Sequence, residues 1–292
     1  MKIIVLGAYG QLGKSIKDIS SNYPQYTFIF TDIDTLDITN YHAVKTFIIE
    51  QNPAIIINCA AYTAVDKAEL EQEQALLLNA KVVDNLSKLA LENTVFLVHI
   101  STDYVFDGKG HKPYKENDPT SPLSIYGKTK LLGEQAMING ACHGVIIRTS
   151  WLYSEYGNNF VKTMIRLGKE RQQLSVVHDQ IGSPTYAGDL AKAIMNVINQ
   201  REEIKQPEIY HFSNEGVASW YDFAKEIMQL NGCTCEVLPI PTDQYPTPAL
   251  RPSYSILDKQ KIKSQFLINI PYWKDSLEKC IKNMSDLEKN GQ

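Results

Sequence analysis

Tyr126 and Lys130 stand four residues apart in the stretch Tyr126-Gly127-Lys128-Thr129-Lys130. On a helix that spacing puts both side chains on one face. An ammonium ion held near a phenol favours the phenolate, so the phenol loses its proton more easily. Such a pair suits a reaction in which a carbonyl oxygen gains a proton while hydride arrives at its carbon. The spacing alone is common by chance. A second stretch, Ser101-Thr102-Asp103, closes an apolar run and adds a hydroxyl and a carboxylate. Donors from Tyr126 and Thr102 together would meet a developing alkoxide.

A hydride reaction needs a dinucleotide site, and the first strand supplies a candidate. Gly7-Ala8-Tyr9-Gly10-Gln11-Leu12-Gly13 follows an apolar run and opens a helical pattern. Glycines there permit a tight turn and close approach of backbone to a pyrophosphate. The helix N-terminus adds free N–H groups and a positive dipole end. The spacing is G-x-x-G-x-x-G rather than the common G-x-G-x-x-G, and a plain strand-to-helix turn would read the same way. Asp32 ends the second apolar run, near the offset at which a carboxylate accepts from adenosine ribose hydroxyls. It would repel a 2′-phosphate and no Arg adjoins it, which leans toward NADH over NADPH. Asp37, followed by Ile38, is a further adenosine candidate, and equally a cap or loop acid. The third run ends Asn58-Cys59-Ala60-Ala61-Tyr62. Small residues at that edge allow a flat cofactor, or simply a close helix, to lie against the backbone.

These groups need a scaffold. Short apolar runs occur at 3–6, 27–30, 55–58, 95–100, 145–147, 174–177 and 209–212. Most are continuously apolar, as in strands buried on both faces. Helical patterns at 12–20, 42–50, 73–92 and 128–138 alternate with them. The alternation predicts an α/β fold: a doubly wound parallel (Rossmann-type) sheet with a smaller C-terminal α/β substrate domain. Residues 1–150 form the dinucleotide-binding domain, rejoined by about 175–205. Residues 151–292 are mainly substrate-binding, with helical patterns at 159–170, 189–199 and 220–229. The proline-rich segment 239–252 reads as loop. All candidate groups then fall on the C-terminal edge of the sheet, where ligands bind in this architecture.

Composition narrows the partners. The net charge is −4 with no basic stripe, which argues against nucleic acid. Five cysteines show no disulfide framework, and Cys233 and Cys235 have no further metal ligands nearby. No apolar run approaches the roughly 20 residues of a membrane span, and the apolar start ends at Gly7, too soon for a signal peptide. A cytoplasmic protein without membrane contact is expected. Arg148, after a buried strand, reads as a structural ion pair. His178 and His211 read as core histidines. Asn159, Lys162 and Arg166 share a helical pattern that either reaches a diphosphate or forms an exposed polar face. Arg251, in a proline-bounded loop, suits a bidentate phosphate contact.

Gly7–Gly13, Asn58-Cys59-Ala60-Ala61, Ser101-Thr102-Asp103-Tyr104-Val105-Phe106 and Tyr126–Lys130 together resemble the extended short-chain dehydrogenase/reductases. Further stretches narrow the likeness. They are Tyr62-Thr63-Ala64-Val65-Asp66-Lys67-Ala68-Glu69, Arg148-Thr149-Ser150-Trp151, Gly157-Asn158-Asn159-Phe160, Asp179-Gln180-Ile181-Gly182-Ser183-Pro184-Thr185 and Arg251-Pro252. In order, over nearly the whole chain, they are similar to the dTDP-4-dehydrorhamnose reductase family. The resemblance implies NADH- or NADPH-dependent reduction of the C4 ketone of dTDP-4-dehydro-L-rhamnose, giving dTDP-L-rhamnose for cell-surface polysaccharide. It implies that Tyr126 donates the proton, that Lys130 binds the nicotinamide ribose and eases proton loss from Tyr126, and that Thr102 bonds near the tyrosine or the substrate oxygen. It implies cofactor contacts from Gly7, Gly10, Gln11, Leu12, Gly13, Asp32, Asp37, Ile38, Ala60, Ala61 and Tyr62. Substrate contacts are implied for Thr102, Asp103, Trp151, Asn159 and Arg251. One branch of the family holds magnesium at a dimer contact through glutamates. The matching positions here are Ser15 and Gly188, which carry no carboxylate, so no metal is expected and the protein is a monomer or homodimer.

Two rival readings remain at this level. A nucleotide-sugar dehydratase would carry a Glu directly after the Thr-Asp pair, where this chain has Tyr104; an epimerase would retain its cofactor through both half-reactions. A cofactor-binding regulatory subunit, like one that resembles this family and acts on methionine adenosyltransferase, would not need Thr102, Tyr126 and Lys130 together.

Overall fold

The computed structural model describes residues 1–290. Its centre is one parallel sheet of six strands: β1 (Lys2–Leu6), β2 (Thr27–Thr31), β3 (Ile55–Asn58), β4 (Phe96–Thr102), β5 (Gly144–Thr149) and β6 (Glu208–His211). Their spatial order is β6-β5-β4-β3-β1-β2. The fold is the expected doubly wound α/β arrangement. The chain leaves β1 outward to β2 and returns on the other side of β1 to β3. The crevice between β1 and β3 is therefore the switch point, where an open parallel sheet binds its ligands.

The period of two in the strands sorts their side chains into two cores. Ile3, Val5, Ile55, Ile57, Val98 and Val145 face one side. There they meet helices Gln11–Ile19, Ala187–Asn199 and Gln260–Phe266, through Leu12, Ile16, Leu190, Ile194, Ile262 and Phe266. Ile4, Leu6, Ile56, Leu97 and Ile146 face the other, against Val44 and Ile48 of helix Tyr41–Gln51 and Leu86 of helix Val82–Glu92. These side chains are almost fully removed from water, which contributes about 1.5–3 kcal/mol for each large aliphatic one.

A third core lies beyond the sheet. Helices Phe160–Glu170, Trp220–Leu230 and Trp273–Asn290 enclose Val161, Phe223, Ile227, Trp273 and Leu277. A two-stranded parallel pair, Gln173–Val177 with Glu236–Ile240, closes it. The apolar run at 174–177 is thus a strand, but of this second unit and not of the central sheet. After residue 150 the chain returns to the sheet three times: as helix Ala187–Asn199, as strand β6, and as helix Gln260–Phe266. The last of these and the terminal helix from Trp273 had no expected counterpart. His178 is exposed, outside any core, and corrects its expected burial; its own backbone N–H donates to Ile240 O. His211 is fully buried. Among the described residues no helix is long and apolar enough to cross a membrane.

Candidate active site

A cleft of about 1050 Å³ runs along the C-terminal edge of the sheet, over the β1–β3 crevice. At its floor Gly7 adopts φ +73°, and a Cβ there would stand 2.8 Å from Ala60 N. Only glycine allows both the left-handed turn and that approach. Helix Gln11–Ile19 begins here with Gly10 at its N-cap and no side-chain cap. Its first N–H groups are left for an acceptor in the cleft, such as a diphosphate. Asp32, at the end of β2, steadies the loop by accepting from Tyr9 N at 2.8 Å, and still lines the cleft. Asp37 accepts from Thr39 N and Thr39 Oγ1 at 2.9 and 2.7 Å, bonds that hold its carboxyl below the usual range. Asn40, not Asp37, caps the following helix. Gly7, Gly10, Gln11, Leu12, Asp32, Asp37, Ile38, Ala60 and Ala61 all reach the cleft.

Gly13 and Tyr62 do not line it. Gly13 lies against the Gly7 carbonyl, inside the turn. Tyr62 is pinned elsewhere: its N–H donates to Asn79 Oδ1 at 2.9 Å, its C=O accepts from Asn79 Nδ2 at 3.1 Å, and its hydroxyl donates to Glu71. Asn79 sits in a π turn, Leu77–Lys81, and also donates to Thr129 Oγ1 at 3.1 Å. It thereby ties this loop to the helix that carries Tyr126.

That helix, Ile125–Gly140, starts three residues before the expected 128 and so takes in Tyr126. Ser124 Oγ accepts from Gly127 N at 3.2 Å, and Glu69 accepts from Ile125 N at 2.9 Å. Gly127 lets the first turn press on the Tyr104 carbonyl, which a Cβ would meet at 2.3 Å. Tyr126 and Lys130 then project into the cleft beside Thr102 and Asp103 of the β4 end. Thr102 caps the short turn after β4 through Tyr104 N at 3.2 Å, and its hydroxyl donates to Asp103 Oδ1 at 3.0 Å. Asp103 is 2% exposed and its Oδ2 has no protein partner. Burial pushes this carboxyl up to about 6, against the pull of neighbouring hydroxyls.

The Tyr126–Lys130 pair differs from expectation in one respect. Burial pushes the Tyr126 phenol up to about 12; Thr102 pulls it down and the Asp103 charge pushes it up. The net shift is upward, not the lowering expected from a neighbouring ammonium. The Lys130 ammonium, 2% exposed, donates to Ile100 O at 2.6 Å and lies 3.4 Å from His99 Nε2. Burial brings Lys130 down to about 8, while Glu134, one turn along, pushes it up. Glu134 is itself buried, accepting from Arg148 Nη2 at 2.7 Å, Arg148 Nε at 2.9 Å and Ser101 Oγ at 2.5 Å. Arg148 is the structural ion pair its position implied.

The far wall comes from the second unit. Trp151 adopts φ +48°, a strained value for a bulky residue. Its indole stacks on Trp220, with centroids 3.6 Å apart and planes 9° from parallel. Both line the cleft. Trp220 was missed as a site residue. Its helix start is legible in Ser219-x-x-Asp222, a capping box, but nothing local places that start under Trp151. Asn159 lines the cleft, yet its side chain is committed. Oδ1 caps its helix through Lys162 N, and Nδ2 donates to Gln11 Oε1 at 2.9 Å and Ser154 O at 2.8 Å. Arg251, expected as a phosphate contact, meets a carboxylate in this structure. It forms a two-pronged pair with Asp66, Nη1–Oδ1 3.0 Å and Nη2–Oδ2 2.7 Å, and does not line the cleft.

The RmlD substrate binding domain model matches residues 1–286. A dTDP-4-dehydrorhamnose reductase of Aggregatibacter actinomycetemcomitans is 42% identical over 286 residues, spanning 95% of this chain and 97% of its own. A solved dTDP-4-dehydrorhamnose reductase of Clostridium acetobutylicum superposes with a TM-score of 0.93 at 43% identity, covering 98% of this chain and all of that one. Another, of Bacillus anthracis in complex with NADP, gives 0.92 at 42% identity over 97% and 99%.

Proposed function

The chain belongs to the RmlD substrate binding domain family, and from that premise we propose that it reduces the C4 ketone of dTDP-4-dehydro-L-rhamnose to dTDP-L-rhamnose with NADH or NADPH. One observation carries the reading. Tyr126, Thr102 and Lys130 converge at one end of the cleft whose floor is Gly7, Ala60 and an uncapped helix N-terminus. The residues fit a dinucleotide: glycine at the close approach, free N–H groups for a diphosphate, and Asp32 for ribose hydroxyls.

The bound nicotinamide supplies hydride. The protein supplies the proton and the electrostatics. Tyr126 holds its proton firmly, near 12, and a secondary alkoxide is a stronger base than a phenolate. Transfer from Tyr126 to the C4 oxygen is therefore downhill once charge develops there. Thr102 gives a second hydroxyl at the same place when its hydrogen turns from Asp103 Oδ1 toward the substrate oxygen. Lys130 in its charged form stabilises the phenolate left behind and offers N–H groups to the ribose. Asp103, ionised above about pH 6, accepts from sugar hydroxyls. The Trp151–Trp220 slab offers an apolar face to a 6-deoxy ring. Tyr104, edge-on to Tyr126 at 5.5 Å, stands where a dehydratase needs an acid. Burial raises its phenol further, so reduction is favoured over elimination of a hydroxyl. We assign the reaction to the cytoplasm, where reduced nicotinamide and activated sugars meet.

Purified protein mixed with dTDP-4-dehydro-L-rhamnose should consume NADH or NADPH, followed by loss of the reduced-nicotinamide absorbance. No consumption with either cofactor would sink the reductase reading and favour a binding role.

A further inference from the structure

His99 is a buried ionisable group that the reduction does not use. It lies within β4, 1% exposed, between Asn58 and Lys130. Its Nδ1 is 3.3 Å from Asn58 Nδ2, and its Nε2 is 3.4 Å from Lys130 Nζ. Hydrogen-bond partners decide which nitrogen carries the proton. The Ala60 N–H can only donate, and it donates to Asn58 Oδ1 at 3.2 Å. The NH2 end of the Asn58 amide therefore faces the imidazole, so Nδ1 accepts. Burial and the Lys130 charge hold the ring neutral, well below the usual histidine range. A neutral imidazole has one N–H, which must then be on Nε2 and aimed at Lys130.

An amine nitrogen can accept that hydrogen; an ammonium cannot. The remaining protein contact of Lys130, Ile100 O at 2.6 Å, suits either form. We propose that Asn58 and His99 are positioning residues that present an N–H to Lys130 Nζ and so favour its neutral amine. This rests on the reading of Lys130 as the lysine of the reaction centre. The opposing group is Glu134 on the same helix, whose charge favours the ammonium but is shared with Arg148 and Ser101. His211 lies beyond Arg148, at 3.5 Å from Nη1, and Tyr126 is one turn before Lys130 as a neutral phenol. Lys130 thus stands between one group favouring each form. The amine matters because the phenolate left by each turnover must recover a proton. A proton given up by the Lys130 ammonium into the cleft can re-form the Tyr126 O–H, and the resulting amine accepts from His99 until a solvent proton restores it. Ala60 lines the cofactor cleft, so the chain that sets this balance begins at the cofactor's edge.

Nitrogen-15 spectra of histidine-labelled protein read the tautomer directly, with the His99 signals identified by their loss in His99→Asn. The Nε2–H form is expected, and the Nδ1–H form would overturn the proposal. Carbon-13 spectra of lysine-labelled protein, with Lys130 identified through Lys130→Arg, should place its titration about one pH unit higher in His99→Asn, one hydrogen bond's worth. A fall or no change would refute the chain. If His99→Asn does not fold, single-site labelling of the unaltered protein still decides the tautomer. Neither spectrum needs substrate or cofactor, so failure here leaves the reductase reading standing. Conversely, failure to oxidise NADH or NADPH would leave the tautomer untouched.

Discussion

Replacing Asp103 by asparagine should stabilise the protein at neutral pH while lowering its activity. The carboxyl is 2% exposed, and burial lifts it from an ordinary 3.8 to about 6. The folded state therefore binds a proton more tightly than the unfolded one, and stability falls as pH rises through that window. At about 1.36 kcal/mol per pKa unit, the ionised carboxylate costs the fold on the order of 3 kcal/mol above pH 6. Asparagine removes the charge and keeps an Oδ1 acceptor for the Thr102 hydroxyl. Its Nδ2 would occupy the place of Oδ2, which has no partner, at a cost of about 1–2 kcal/mol. The net gain expected at neutral pH is about 1–2 kcal/mol. Urea unfolding of both proteins at about pH 8 and about pH 4 tests the reasoning through its sign. The variant should be the more stable at the higher pH and no better, or worse, at the lower. Equal differences at both pH values would refute the buried-carboxylate argument, whatever the activity does. A loss of turnover alongside the gain would mean that the site holds this charge for function and not for stability.

Tyr126→Phe should lower turnover on the order of 10²–10⁴-fold, the range for a general acid, with NADH affinity by fluorescence titration nearly unchanged; unchanged turnover would remove Tyr126 from the chemistry. Arg148→Met leaves Glu134 buried without its partner and should cost roughly 3 kcal/mol or more in urea unfolding. The double variant with Glu134→Leu should recover much of that loss, and if the losses simply add, the pair is not coupled. Gly7→Ala forces a Cβ to 2.8 Å from Ala60 N at φ +73°, so cofactor Kd should rise at least tenfold on a still-folded protein, a change of about 1.4 kcal/mol. Asp32→Ala removes the carboxylate that would face a 2′-phosphate, and the ratio of NADPH to NADH use, measured at equal concentration, should rise.

The local devices of this protein are written in neighbouring residues. Continuous apolar runs become strands buried on both faces, because a parallel sheet leaves them no wet side. Glycines at 7 and 10 before a helical pattern make the tight turn after β1, and the helical pattern at 128–138 marks most of the Tyr126 helix. The four-residue spacing already put Tyr126 and Lys130 on one face. What each group meets across the fold depends on chain far away in sequence, and no local pattern carries it. Arg251 was legible as a rigidly held cation, but only packing revealed Asp66, 185 residues distant, on its guanidinium. Trp220 was legible as a helix start, but only the docking of the second unit stacked it on Trp151. The same limit applies to the pair that first suggested chemistry. Sequence determined that a phenol and an amine four residues apart share a helix face. Tertiary structure set how tightly each holds its proton, because burial raises Tyr126 to about 12 and lowers Lys130 to about 8, and burial belongs to the assembled sheet and not to the helix alone.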